Sequence, residues 1–95
     1  MDRDQIIGSE TRPRLARGVR LHEDRVRGRT VLLAPERVIT LSQSAIDVLS
    51  RCDGQCTLDA VVADLAQVYQ AEERRIAADV RALLSALADR RMVEL

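Results

Sequence analysis

The sequence predicts an α+β domain in which a three-stranded antiparallel meander precedes a three-helix bundle. Three observations support this fold class. The chain has 95 residues, enough for one small domain with its own core. Between residues 19 and 41, apolar residues occur in short runs with strand-like spacing, separated by turn residues. After Leu41 the apolar residues recur at steps of three and four, which is the spacing of amphipathic helices.

Three short strands are expected in the first half of the chain. Residues 19–23 alternate apolar and polar side chains, and residues 29–34 are mostly apolar, as in a central strand. Pro35 and Glu36 then form a turn, in which the fixed φ of proline is favourable. The third predicted strand covers residues 37–41. Because short turns join consecutive strands, this third strand lies at an edge of the meander.

The first helix is expected to begin at a serine and to end at a glycine. Either Ser42 or Ser44 can cap it, and Ser44 with Asp47 fits a relaxed capping box. Asp53-Gly54 is expected to stop the helix, since glycine takes the left-handed conformation readily.

Two further helices complete the predicted bundle. Thr57 caps the second helix, and the third begins at about Glu72. The last four residues form either a tail or a short strand. A tight glycine turn between the first two helices makes a helix-turn-helix, so the predicted architecture is winged-helix-like with the sheet at its N-terminal side.

The N-terminal segment is expected to differ from the folded remainder of the chain. Residues 1–14 are polar and lack periodicity, so we expect a mobile N-terminal arm followed by a folded domain over residues 15–95. The N-terminus does not resemble a signal peptide, and no apolar run approaches the ~20 residues of a membrane span. We therefore expect a cytoplasmic protein without a membrane partner, with reduced thiols.

The two cysteines, in "CDGQC", raise the question of redox or metal chemistry. Cys52 and Cys56 have three residues between them, whereas thioredoxin-like motifs have two. A zinc site needs about four ligands, and His22 is the only histidine. Cys52 continues the apolar face of the first helix, which favours a structural role. We therefore expect no metal and no cofactor.

No constellation of residues predicts catalysis. His22 has no triad partners, and Ser42 and Ser44 have no evident base. The sequence contains no glycine-rich phosphate loop. The chain is not expected to be an enzyme, and a binding function remains.

A helix-turn-helix suggests DNA as one binding partner. The second predicted helix exposes Asp59 and Asp64 without a basic residue, and the third carries mixed charges. A face that docks on phosphates requires net positive charge, so nucleic acid is not the expected partner. A winged-helix DNA-binding regulator is the alternative function.

The edge of the third predicted strand is the other candidate surface. Residues 37–41 contain no proline or internal charge that would block pairing with an added strand. Either the third helix packs over this edge, or a slot remains in which a peptide adds as a further strand. Composition leaves both arrangements open.

Several separated segments together resemble one known family. The segments are "GVRLHED", "VLLAPERVITLSQSAIDVLSRCDGQCTLDAVVADLA" and "DVRALLSALADRRMV". They are similar to the PqqD family of pyrroloquinoline quinone biosynthesis, with matches at Pro35-Glu36, the helix entry at 41–45, Cys52-Asp53-Gly54 and Asp79-Val80. Two positions depart from the family pattern, Ser42 in place of Asn and Arg91 in place of a frequent Gly.

The resemblance implies a peptide chaperone, the recognition element of a ribosomally made and modified peptide pathway. Such a protein binds a precursor peptide (PqqA type) and presents it to a radical SAM enzyme (PqqE type) that joins a Glu and a Tyr. The resemblance also places the peptide beside the third strand and against the last helix, which decides the open question above in favour of a slot. An open edge and an N-terminal arm also permit strand exchange, and hence a homodimer.

We therefore expect a peptide that runs antiparallel to residues 37–41. Arg37 would steer acidic peptide residues. The expected backbone partners are Val38, Ile39, Thr40 and Leu41, and the expected apolar wall consists of Ile76, Val80, Leu83 and Leu84.

Overall fold

The computed structural model of the protein describes residues 7–95. Its elements, in order, are β1 (Arg14–Leu15), β2 (Arg20–Asp24), β3 (Arg29–Ala34), β4 (Arg37–Thr40), α1 (Gln43–Leu49), α2 (Leu58–Tyr69), α3 (Glu73–Asp89) and β5 (Val93–Glu94). Strands β2, β3 and β4 form an antiparallel sheet in that order, and β1 pairs antiparallel with β5. The predicted α+β class, with a meander before three helices, is confirmed.

The central strand β3 anchors the sheet to the helices. Leu32 is completely buried and lies opposite Leu21 of β2 on one side and Ile39 of β4 on the other. Directly opposed residues share one face of an antiparallel sheet, so this row of three faces the helical core. The register of β4 on β3 thus fixes which face of β4 is directed at the core.

The predicted turn between β3 and β4 contains two residues, Pro35 and Glu36. Glu36 has a φ of +64°, a value that glycine adopts without strain and other residues do not. The tight turn keeps β4 next to β3, so β4 forms the edge of the sheet, as the sequence predicts.

Side-chain caps begin two of the helices. The Ser42 hydroxyl accepts a hydrogen bond from the Ala45 amide at 3.2 Å, and the Thr57 hydroxyl accepts one from the Ala60 amide at 3.2 Å. Ser42 is therefore the cap of α1. The Ser44 alternative is wrong, because Ser44 lies inside the helix.

Helix α1 ends at Leu49, earlier than the predicted stop at Asp53-Gly54, so an eight-residue linker joins it to α2. Asp53 forms an isolated antiparallel bridge with Arg14, and the Gly54 amide donates to the Pro13 carbonyl at 3.0 Å. These backbone contacts hold the chain in an extended path that a continuing helix could not follow. At Gly54, whose φ is +80°, an added Cβ would lie 3.4 Å from the Arg14 side chain.

The same C-terminal motif ends α2 and α3. In each, a backbone amide beyond the helix donates to a carbonyl of its last turn. The Ala71 amide, two residues after α2, donates to the Ala66 carbonyl at 3.0 Å, and the Met92 amide, three residues after α3, donates to the Leu87 carbonyl at 2.9 Å. In each case a residue with left-handed backbone precedes the donor, namely Gln70 (φ +52°) and Arg91 (φ +60°). This is the Schellman geometry, in which glycine is the usual residue at the left-handed position.

Residues 7–14 fell within the expected N-terminal arm, and the structure packs them on the helices. Ile7 is 3% exposed in the core, and the amides of Leu58 and Asp59 donate to the carbonyls of Thr11 and Ser9 at 2.7 and 3.0 Å. The packed region therefore begins before Leu15, the predicted boundary. The first six residues of the expected arm lie outside the described residues.

The last four residues contain a strand, which decides between the two predicted alternatives. Val93 lies opposite Leu15, and Glu94 lies opposite Arg14. The Arg14 guanidinium contacts the Glu94 carboxylate at 2.6 Å. Among the described helices, none has the length and apolar character that crossing a membrane requires.

Candidate functional site

The outer edge of β4 carries backbone groups that no described strand pairs with. A two-residue turn makes Ala34 and Arg37 the hydrogen-bonded pair that closes it, and bonded and non-bonded pairs then alternate along the ladder. Ile39 therefore exchanges its backbone bonds with Leu32. By the same alternation, the N–H and C=O groups of Val38 and Thr40 point away from β3, toward the open edge.

Side chains on β4 divide between the two faces of the sheet. Ile39 is half-buried against the core cluster, whereas Val38 is 67% exposed and Thr40 is exposed on the opposite face. Leu41, just beyond the strand, is half-buried and packs on the core. The open edge thus offers backbone hydrogen bonds to an added strand, and no continuous row of apolar side chains lies along it.

An apolar pocket of about 380 Å³ opens among the three helices near the C-terminal end of β4. Its walls come from the start of α1, the end of α2 and the first half of α3. The lining residues are Ser42, Ser44, Ala45, Val48, Leu65, Tyr69, Ile76, Asp79, Val80 and Leu83. Only Leu41 separates the last residue of β4 from Ser42, so the pocket adjoins the open edge.

The structure brings three of the four predicted wall residues to this pocket. Ile76, Val80 and Leu83 line it from α3. Leu84 does not line it and is completely buried in the core. Its side chain supports the wall from behind, so its contribution to a ligand would be indirect.

The α1 and α2 walls of the pocket were not predicted from the sequence. Ala45, Val48 and Leu65 read as ordinary core positions, because periodicity does not tell a core contact from a cavity wall. Tyr69 gave the one available signal. It is the only aromatic residue in the chain, and it is 43% exposed at the end of a helix.

Tyr69 and Asp47 connect α2 to α1 at the rim of the pocket. The Tyr69 hydroxyl donates to the Asp47 carboxylate, which also accepts a 3.1 Å hydrogen bond from the Gln43 amide group. The bond from Tyr69 lowers the pKa of Asp47, and the same bond raises the pKa of Tyr69. The pair therefore holds the two helix ends together while Asp47 is ionised and Tyr69 is protonated.

The two thiols differ in environment. Cys52 is buried and its thiol donates to the Val48 carbonyl at 3.2 Å, and burial raises its pKa to about 12. Cys52 is thus a neutral core residue at neutral pH. Cys56 is exposed. Nowhere in residues 7–95 do three or more His, Cys, Asp or Glu side chains gather as a metal site would require.

Comparisons with known proteins identify the family that this chain resembles. The family described as "Coenzyme PQQ synthesis protein D (PqqD)" matches residues 29–93. A "PqqA binding protein" from Rhizobium meliloti (strain 1021) is 46% identical over 90 residues, which is 95% of this chain and 92% of that protein.

Two solved structures resemble the whole fold. The solution structure of the PqqD truncation of Methylobacterium extorquens PqqCD, described as a stand-alone recognition element for ribosomally synthesised and modified peptides, has a TM-score of 0.81 and 39% identity. The alignment covers 99% of this chain and 100% of that one. The crystal structure of PqqD from Xanthomonas campestris has a TM-score of 0.59 and 39% identity, with 94% and 99% coverage.

The family match spans both the open edge of β4 and the apolar pocket. The relatives align over nearly the full length of the chain. This chain therefore belongs to the PqqD family.

Proposed function

We propose that this chain binds the PqqA precursor peptide by adding it as an antiparallel strand to β4. The observation that supports this proposal most strongly is an edge of β4 that no described strand pairs with, next to an apolar pocket. The name of the Rhizobium meliloti relative, a PqqA binding protein, supports the identity of the peptide.

Two kinds of contact would supply the affinity. The outward backbone groups of Val38 and Thr40 would form the ladder with the peptide, on a strand that β3 already holds extended. A preorganised strand lowers the conformational entropy lost on binding, which otherwise opposes the association. One apolar peptide side chain in the pocket would contribute about 1.5–3 kcal/mol if it is fully buried there.

The wall of the slot would come from Ile76, Val80 and Leu83, with Leu84 behind them. Ile39 and Leu41, whose half-buried side chains pack on the core, would contribute side chains to the floor of the slot rather than backbone hydrogen bonds. Arg37 would stand at the far end of the strand, where it attracts acidic peptide residues.

The chain would act as a chaperone that presents the bound peptide to a radical SAM enzyme of the PqqE type. A bound strand leaves its outer edge and one face exposed, so the enzyme could reach peptide residues while the chaperone still holds them. The recognition would thus belong to this chain and the catalysis to its partner. Without peptide, the same β4 edge would be available to a second copy, which would give a homodimer.

Titration of the ¹⁵N-labelled protein with synthetic PqqA peptide would test the proposal. We expect the amide signals of Val38 and Thr40 and of the pocket residues to shift, and those at the β2 edge to stay in place. Calorimetry of the same titration gives the affinity. Absence of binding, or shifts confined to β2 and the β2–β3 turn, would contradict strand addition at β4.

A further inference from the structure

A second pocket, of about 220 Å³, lies at the opposite end of β4 from the apolar pocket. Four arginines line it: Arg17, Arg37, Arg90 and Arg91. They come from three separate segments of the chain, and Val19 and Met92 form part of its apolar floor. We call this the arginine pocket.

None of the residues that line the arginine pocket is acidic. The ion pairs described for residues 7–95 include Arg14 with Glu94, Arg27 with Asp24 and Arg51 with Asp64, and none of these three includes an arginine of the pocket. Four guanidinium groups around one cavity repel each other, since none of them loses its charge at physiological pH. An anion in the pocket would relieve this repulsion and accept several charge-assisted hydrogen bonds.

The backbone at Arg91 points to the same conclusion. Its φ of +60° is left-handed, a conformation that costs a non-glycine residue about 1–2 kcal/mol. Glycine would fit this position without strain, but it would remove a guanidinium from the cavity. Arg91 therefore supplies a charge to the pocket from a position at which glycine would be less strained.

The arginine pocket and the apolar pocket lie near opposite ends of β4 and of α3. Helix α3 lines the apolar pocket through residues 76–83, and the chain just beyond its end supplies Arg90 and Arg91. Strand β4 begins at Arg37, in the arginine pocket, and leads toward Ser42, in the apolar pocket. The five residue-to-residue steps from Arg37 to Ser42 span about 17 Å of extended chain at about 3.3 Å per residue.

We infer that the arginine pocket binds a carboxylate side chain of the peptide that adds to β4. This inference rests on the proposed function. A strand antiparallel to β4 begins near the apolar pocket and ends near the arginine pocket, so the acidic residue follows the apolar anchor by about five residues. The two pockets thereby set both the direction and the register of the peptide.

The double variant Arg90→Gln/Arg91→Gln tests this inference by calorimetry with synthetic PqqA peptide. We expect about tenfold weaker binding and a smaller dependence of affinity on salt concentration, because two charge-assisted contacts are lost. The matched control is Arg25→Gln/Arg27→Gln, which removes the same charge at the β2–β3 turn, at the other end of the sheet, and leaves the affinity unchanged. Equal affinities for the two double variants would overturn the inference.

A second arm uses the peptide itself. Each acidic residue of the peptide is replaced by Gln in turn, and each apolar residue by Ala. One Glu or Asp replacement should weaken binding to the wild type about tenfold but have little further effect on the arginine variant, since the two partners act together. That residue should follow the most sensitive apolar position by about five. Additive losses, or the reverse order, would overturn the inference. Failure of the wild type to bind any PqqA peptide would instead refute the proposed function.

Discussion

Ile39 of β4 lies directly opposite Leu32 of β3, and the two residues form a hydrogen-bonded pair of the ladder that starts at the Pro35-Glu36 turn. This pairing commits the backbone of Ile39 to the sheet. Thr40, one residue later, directs its N–H and C=O groups toward the open edge. Proline at these two adjacent positions should therefore have opposite effects on folding and on binding.

Thr40→Pro should weaken peptide binding about tenfold, because it removes one outward donor, worth about 1 kcal/mol, and places a ring at the edge. Its fold should persist, since proline is tolerated where the N–H faces away from the partner strand. Ile39→Pro should instead destabilise the domain. Calorimetry and thermal unfolding measure the two effects.

The control for Thr40→Pro is Glu23→Pro at the other edge of the same sheet. The register of β2 on β3 makes the Glu23–Thr30 pair non-bonded, so the Glu23 N–H also points outward. Glu23→Pro should leave the affinity unchanged. Equal losses for Thr40→Pro and Glu23→Pro would show that the peptide does not bind at the β4 edge.

Ile76 and Leu84 lie on the same helix but should affect different measurements. Ile76 is half-buried and lines the apolar pocket, so Ile76→Ala should weaken peptide binding about fivefold to tenfold through lost apolar contact. Leu84 is completely buried, so Leu84→Ala should lower the free energy of unfolding by about 2–5 kcal/mol. Denaturant unfolding and calorimetry separate the two. If Leu84→Ala folds and loses much of its affinity while Ile76→Ala does not, the peptide binds elsewhere.

The left-handed positions Gln70 and Arg91 offer a test that separates stability from binding. Glycine at either position should raise the free energy of unfolding by about 0.5–1 kcal/mol, since it relieves the positive φ at a modest entropic cost. Arg91→Gly should also weaken peptide binding, whereas Gln70→Gly should not. Unchanged peptide affinity for both variants would show that Arg91 does not contact the peptide.

The Tyr69–Asp47 hydrogen bond predicts a defined pH dependence of stability. The pKa of Asp47 is lowered on folding, so its contribution exists above the ordinary value of 3.8 and fades as the pH falls through the folded value. The pKa of Tyr69 is raised, so its contribution exists below pH 10 and disappears as the pH rises further.

Tyr69→Phe should therefore lower the melting temperature slightly at pH 7 and make no difference in strong acid. Because Tyr69 is the only aromatic residue, the absorbance of its phenolate reports the raised pKa directly. A titration midpoint at or below 10 in the folded protein would contradict the hydrogen bond.

The two thiols should differ in reactivity. Cys56 is exposed and should react with a thiol reagent in the native state, whereas Cys52 should react only on unfolding because burial raises its pKa to about 12. Cys56→Ser should leave peptide binding intact. Native-state labelling counted by mass spectrometry checks the first statement, and two rapidly labelled sites would contradict the buried position of Cys52.

The sequence by itself determined the features that depend on neighbouring residues. The alternation in 19–23, the mostly apolar run in 29–34, the Pro35-Glu36 turn and the caps at Ser42 and Thr57 are local signals, and the structure contains a strand, turn or cap at each of them. The edge position of β4 followed from short turns between consecutive strands. Local preferences act through steric and hydrogen-bonding effects within a few residues, so they can be predicted from the sequence.

Only the tertiary structure decided what depends on distant segments. Helix α1 ends at Leu49 because Asp53 pairs with Arg14, 39 positions earlier in the chain, and no local pattern announces that bridge. Similarly, β1 becomes a strand because β5 lies beside it. The two pockets have the same origin, since three helices converge on one and three segments supply four arginines to the other. Burial and charge at these sites arise when packing brings together residues that are far apart in sequence.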